Sequence, residues 1–221
     1  TVDGKSTMNI TQGTERAVIY WDSFNVGRNS TVNYIQPNVS AMTLNHITGT
    51  AVSLIEGNIN SIGSLIFINP NGMMFAEGST VNAAGIIAST AQLAKGDENF
   101  FTAGANSLLF SQDSTTDNNI TVNGTINASL NGAYINDMKT NLTTLQGQLK
   151  AYDQAHGTTL AATVPDTMLN TVGIKAATGF SEVNNVIKLI ADGDITVGST
   201  GSLQARTTTT LASTGTVGAE G

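Results

Sequence analysis

The sequence predicts an all-β solenoid, and three observations carry that reading. Short runs of alternating apolar and small polar residues recur along the 221 residues, bounded by Gly or Asn. The unit Asn119-Ile-Thr-Val-Asn-Gly-Thr-Ile-Asn-Ala128 returns in kind as Asp194-Ile-Thr-Val-Gly-Ser-Thr-Gly-Ser-Leu-Gln-Ala205, a strand, a Gly or Asn corner and a second strand. Only 11% of residues are charged while Gly numbers 23, so the surface is built from neutral polar groups on strands instead of Lys/Glu-rich helices. Units that cannot bury a face alone must stack on their neighbours. A parallel β-helix satisfies this, with Asn and Thr laddering between coils and small residues filling a narrow interior. An antiparallel sandwich remains the alternative, because Gly-bounded spacing fits both.

Strands are expected at Met8–Ile10, Ala17–Tyr20, Val32–Ile35, Ser64–Ile68, Gly85–Ser89 and Ser107–Phe110. Between Ser64–Ile68 and the apolar Met73-Met74-Phe75 lies Asn69-Pro70-Asn71-Gly72. Asn69 can accept a hydrogen bond at the first turn position, and Pro70 pre-sets φ near −65° at the second. Asn71 tolerates the third position, and Gly72 leaves the turn without a Cβ clash. The result is a tight type I turn. From Asn136 to His156 the pattern changes: Met138, Leu142, Leu145, Leu149, Tyr152 and Ala155 recur at steps of three and four. This predicts a helix at about 137–156 with Asn136 or Asp137 as N-cap and Gly157 at its end, inside an insertion spanning 136–178. The insertion is read as a flank cover in preference to a recognition element. Solenoid ends need covering, so Thr1–Thr14 is expected to form part of an N-terminal cap, and an open C-terminal rung to allow weak end-to-end association of an otherwise monomeric domain.

Several function classes find no support. The net charge of −7 and the lack of a basic cluster argue against nucleic acid as a partner. No run approaches the ~20 apolar residues of a membrane-spanning helix. The only histidines, His46 and His156, lack metal-ligand spacing to carboxylates. Asp192 and Asp194 flank Gly193 and could mimic the carboxylates of a polysaccharide-cleaving β-helix, but two carboxylates two apart read as a polar turn, as do Asp113 and Asp117. Phosphate loops, calcium repeats and nucleophile elbows are missing. No catalytic residue, cofactor or metal is therefore predicted. Sequons at Asn9, Asn29, Asn38, Asn119, Asn123, Asn127 and Asn141 follow from composition in a chain this rich in Asn, Ser and Thr.

The turn stands within an ordered series: Trp21-Asp-Ser-Phe-Asn-Val-Gly27, Val32-Asn-Tyr-Ile-Gln-Pro37, Leu44-Asn-His-Ile-Thr-Gly49, Ile55-Glu-Gly57, then Val81-Asn-Ala-Ala-Gly-Ile-Ile-Ala-Ser-Thr90 and Asn99-Phe-Phe101. In this order and spacing the chain resembles the secretion domain of two-partner secretion exoproteins, the family of filamentous haemagglutinins, high-molecular-weight adhesins and contact-dependent inhibition toxins. The resemblance is dense over roughly residues 8–110 and loose beyond. It implies a single domain over 1–221 and tips the fold to a right-handed parallel β-helix. It also implies export through the periplasm of a Gram-negative bacterium to the outside or the cell surface, with an outer-membrane β-barrel transporter as partner. Asn69, Pro70, Asn71 and Gly72 match the family's secretion motif, with Asn45, Val81, Asn82, Ala88, Ser89 and Thr90 in support. Departures are His46 where relatives carry Arg, Met73 in place of a branched aliphatic, and Ala83-Ala84 beside Gly85. The second Asn-Pro-Asn-Leu motif of the haemagglutinin branch is missing, with only Gln36-Pro37-Asn38-Val39 near its place, which suits the adhesin branch. The zero cysteine count agrees with passage unfolded through an oxidising compartment. Family members carry an export signal, whereas this chain is polar from Thr1, so both ends are expected to be cuts in a longer exoprotein. The competing reading is an adhesive β-helix that grips a host glycan or protein itself; receptor binding by downstream regions is the milder form of it.

Overall fold

The computed structural model describes residues 5–102, 108–111, 118–128, 150–157, 186–205, 208–213 and 215–219. Each coil of chain contributes one short strand to each of up to three sheets, because Gly and Asn corners interrupt the runs every few residues. The first coil holds β1 (Ser6–Thr11) and β2 (Arg16–Trp21), with Val26 bridging to Ile55 as its share of the third sheet. The second holds β3 (Ser30–Ile35), β4 (Met42–Ile47) and β5 (Ser53–Ile55). The third holds β6 (Asn58–Ser61), β7 (Ser64–Ile68) and β8 (Met73–Phe75). The fourth begins with β9 (Thr80–Asn82) and β10 (Gly85–Ser89). It then leaves the solenoid through β11 (Gln92–Leu93), α1 (Glu98–Thr102) and β12 (Phe110–Ser111), and closes with β13 (Ile120–Val122). The fifth holds β14 (Thr125–Asn127), β15 (Val186–Ala191) and β16 (Ile195–Val197). The sixth holds β17 (Ser202–Gln204), β18 (Thr208–Ser213) and β19 (Val217–Ala219).

The first sheet runs β1-β3-β6-β9-β14-β17, the second β2-β4-β7-β10-β15-β18 and the third β5-β8-β13-β16-β19. Every neighbouring pair in these sheets is parallel, so the architecture is a parallel β-solenoid of six coils and the sandwich alternative is excluded. Registry places like on like. Val32, Ile59, Val81, Ile126 and Leu203 form one interior column of the first sheet. Phe67, Ala88, Leu189 and Leu211 form another along the second. Full burial of each large side chain contributes about 1.5–3 kcal/mol. Corners between the third and first sheets need glycine for close approach: a Cβ at Gly57 would stand 2.3 Å from the carbonyl oxygens of Gly27 and Ser30.

Strands β7 and β10 are buried at every position, on both faces. That explains why Ser64–Ile68 and Gly85–Ser89 read as continuous runs and not as alternations. Their outward side chains, with Leu44 and Met42, form a second core against Ala91, Leu93, Phe100 and Leu108 of the excursion, which covers this sheet as a flap.

Two expectations are met in part. Ser6–Thr11, expected within a cap, pairs in parallel with β3 from Ser6↔Ser30 to Thr11↔Ile35, and so is the terminal rung of the first sheet. The reason is its period-two pattern, which places Met8 over Val32 and Ile10 over Tyr34 like every later rung. Of the expected helix, residues 137–149 lie outside the described residues. Residues 150–156 are helical, and Gly157 at φ 66° ends them with its N–H on the Asp153 carbonyl. The chain divides into two compact units, Thr1–Ser129 with Ser181–Gly221, and Leu130–Phe180. Within the second, the Tyr152 and His156 rings stack at 4.0 Å.

Candidate functional site at the Asn-Pro-Asn-Gly corner

Asn69 ends β7 at the corner between the second and third sheets, where the chain must turn from one face of the solenoid to the next. The Gly72 N–H donates to the Asn69 carbonyl at 3.1 Å, closing the four-residue turn. Gly72 has φ +105°, a left-handed value that suits glycine, and a Cβ there would lie 2.9 Å from the Asn119 carbonyl oxygen. Asn69 is fully buried. Its Nδ2 donates to the Ala51 carbonyl (3.0 Å) and the Ser53 hydroxyl (2.9 Å), both on the coil before. Its Oδ1 accepts from the Asn71 backbone N–H (2.9 Å) and Nδ2 (3.0 Å). Its own N–H donates to the Ser89 carbonyl of the coil after, at 2.9 Å. Asn71 also reaches back, donating to the Gly49 carbonyl at 2.8 Å. The motif therefore clamps three successive coils at one corner. Pro70 is half-buried and makes the turn's outer surface.

The supporting residues do not gather there as a set. Ser89 and Thr90 do occupy the same corner one coil on: the Ser89 hydroxyl donates to the Ala91 carbonyl at 2.8 Å, and Thr90 Oγ1 accepts the Asp192 N–H at 2.7 Å. Ala88 is buried in the interior beneath them. Asn45 is interior too, on the neighbouring rung opposite Phe67, two residues short of the turn: its Oδ1 accepts from Trp21 Nε1 (3.0 Å) and the Tyr34 hydroxyl (2.7 Å), and its Nδ2 donates to the Ile66 carbonyl. Val81 and Asn82 belong to the first sheet, Val81 inward and Asn82 outward. Burial pushes the Tyr34 phenol well above the ordinary tyrosine value, despite its bond to Asn45.

Other groups singled out in the sequence also find places. His46 Nδ1 lies 2.6 Å from Asp97 Oδ2, so it ties the outer face of the second sheet to the flap. The Asp97 carboxylate near the Tyr20 hydroxyl raises the Tyr20 pKa. Arg16 donates to the Phe100 carbonyl and lies over its ring. Phe24 is core, between Trp21 (5.2 Å) and Phe67 (5.3 Å). Asp194 accepts from the Thr216 N–H and hydroxyl, which lowers its pKa as in a polar corner. Asp113 and Asp117 lie outside the described residues.

Sequence reasoning missed the flap and the buried amides Gln12 and Gln36. Gln36 accepts from the Gly63 N–H (2.7 Å) and donates to Thr43 Oγ1 (2.9 Å), while Gln12 accepts from that same hydroxyl. The signal for the flap was present in the double-faced apolar runs of β7 and β10 and in Phe100-Phe101. The glutamines, each beside a strand end, carried no comparable signal.

With this geometry in view, the chain can be set beside known proteins. Two curated heme/hemopexin-binding proteins of Haemophilus influenzae are 37% and 36% identical over 92 residues, 42% of this chain and 10% of each relative. The chain thus matches only a small part of their length. The crystal structure of the HMW1 secretion domain from Haemophilus influenzae superposes over 96% of this chain and 41% of that one, with TM-score 0.50 and 19% identity, which speaks to the fold. The TPS secretion domain family matches residues 1–218. With a parallel solenoid of six coils and a family match over nearly its whole length, the chain belongs to the TPS secretion domains of two-partner secretion exoproteins.

Proposed function

We propose that this domain is recognised in the periplasm, while still extended, by the periplasmic domains of a dedicated outer-membrane β-barrel transporter, and that folding outside makes its export directional. The observation that carries the reading is the internal use of Asn69: every polar atom of its side chain is bonded within the fold. A transporter that reads this amide must meet it before the third coil closes on the second. Strand pairing with the transporter would take affinity from main-chain bonds and specificity from alternate side chains. Folding outside then releases on the order of 10 kcal/mol. Each new rung adds to an existing edge, so the domain templates the coils that follow.

Asn69, Pro70, Asn71 and Gly72 act as the secretion motif in this reading, with Ser89 and Thr90 completing the corner. Asn45, Val81, Asn82 and Ala88 support it through the coils around it. A single domain over 1–221 with right-handed winding, a helical insertion at 136–178 and weak end-to-end association of an isolated monomer belong to the same proposal. Exoproteins of this family are secreted by Gram-negative bacteria through the periplasm. Adhesion, haem capture or receptor binding would reside in regions downstream. The test is secretion itself: the chain is expressed behind an export signal, with and without its cognate transporter, and the medium is assayed. Transporter-dependent release, lost in the Asn69→Ala/Asn71→Ala variant, is expected; retention in the periplasm beside a working transporter would refute the reading.

A further inference from the structure

We propose that the outer face of the first sheet binds an extended, neutral polysaccharide. The face is a two-column array repeated from rung to rung. Asn9, Asn33, Asn60 and Asn82 stand in register, and from Asn33 onward each Nδ2 donates to the Oδ1 of the rung before it, at 3.0, 3.2 and 3.1 Å. Asn127 continues the column opposite Asn82. Two residues earlier on the strands stand Thr7, Thr31, Thr80 and Thr125, with Asn58 between the second and third. Rungs repeat at about 4.8 Å and the columns lie about 6.7 Å apart.

Solenoid stability accounts for one column only. Bonded amides in a ladder polarise one another and hold the stack together. Yet an inner amide of the ladder uses one N–H and one lone pair on its neighbours, and retains one of each for the outside. The threonine side chains named here make no hydrogen bond among the described residues, and none of them is buried. Their hydroxyls serve neither the interior nor the ladder. The result is a spare amide donor and acceptor on the inner rungs, with a hydroxyl beside them on every rung of the array but the one that holds Asn58.

A repeated array gains most from a repeating ligand. The array carries no charge, so neither sulfated nor other anionic glycans find a counter-ion there, and nucleic acid is excluded for the same reason. Hydroxyl pairs along an extended neutral glycan match amide and hydroxyl pairs on the sheet. Ile35, 45% exposed on this face, offers an aliphatic surface for the C–H face of a sugar ring. The second sheet offers no such array, because the middle of its outer face is apolar and lies under the flap, to which Arg16 and His46 are bonded. This binding surface is independent of how the domain is exported.

The test is affinity electrophoresis of the folded 221-residue chain in native gels holding hydroxyethylcellulose, galactomannan or heparin. Retardation by at least one of the neutral polymers and none by heparin is expected. The variant Thr31→Val/Thr80→Val keeps shape and strand preference while removing two hydroxyls, and should weaken binding about tenfold. A control pair on the third sheet, Thr121→Val/Thr196→Val, should leave binding unchanged, and melting temperatures verify that both variants fold. Retardation by heparin alone, no retardation by either neutral polymer, or equal binding by the Thr31/Thr80 variant would each overturn the proposal.

Discussion

Replacing Asn69 by alanine is the sharpest probe of the corner. The side chain makes four hydrogen bonds within the fold, but they are not of equal weight. Ala51 is exposed, so its carbonyl can turn to water, and Asn71 Nδ2 keeps its bond to Gly49. The Ser53 hydroxyl is buried and the Asn71 backbone N–H half-buried, and both lose their partner. At about 1–3 kcal/mol for the buried hydroxyl left unsatisfied and about 1 kcal/mol for the half-buried N–H, the expected loss is about 2–4 kcal/mol. With a urea slope near 2 kcal/mol/M, the denaturation midpoint of the purified chain should fall by about 1–2 M. Asn69→Asp retains the acceptor for Asn71 but sets a carboxylate against the Ala51 carbonyl, so it should be no more stable than the alanine variant. A midpoint drop below about 0.3 M for Asn69→Ala would show that the clamp is not what stabilises the corner. Export measured on the same variant separates two roles. Lost secretion with an unchanged midpoint would mean that the transporter reads the amide directly; lost secretion with the expected drop would mean that the motif acts through folding.

The remaining predictions concern other parts of the same molecule. Gly72→Val must place a β-branched residue at φ +105° against the Asn119 carbonyl, and should cost at least about 2 kcal/mol in the same urea titration. Phe100→Ala empties a fully buried site under the flap; a loss of about 3–5 kcal/mol and new binding of a hydrophobic dye to the second sheet are expected, and an unchanged dye signal would count against the flap as a cover. Tyr34 has a folded pKa above its unfolded value of 10.0, so its stabilising contribution is complete below pH 10 and declines as pH rises beyond it. Absorbance titration of the phenols should show Tyr34 ionising only as the fold is lost. Asp97→Asn removes the carboxylate that raises Tyr20, so the Tyr20 phenol should titrate at a lower pH in the variant than in the parent.

Much of the solenoid was legible in local sequence. Gly- and Asn-bounded runs at Ser64–Ile68, Gly85–Ser89 and the unit 119–128 match strands with their corner in place. The Asn69–Gly72 turn followed from the conformational preference of each residue, and the interior columns from the alternation of side chains. These are properties of a few neighbouring residues, and local pattern expresses them. Whether Ser6–Thr11 caps the end or forms a rung depends on its partner strand some 24 residues away, which local pattern does not name. The same holds for Asn45, whose polar atoms are satisfied by Trp21, Tyr34 and Ile66, each on a different strand. The sequence by itself determined the repeat, the corners and which faces are apolar. Only the tertiary structure decided which coil stacks on which, that the flap covers the second sheet, and that Asn69 joins three coils. Those outcomes depend on contacts between residues distant in the chain, where burial and hydrogen bonding are shared.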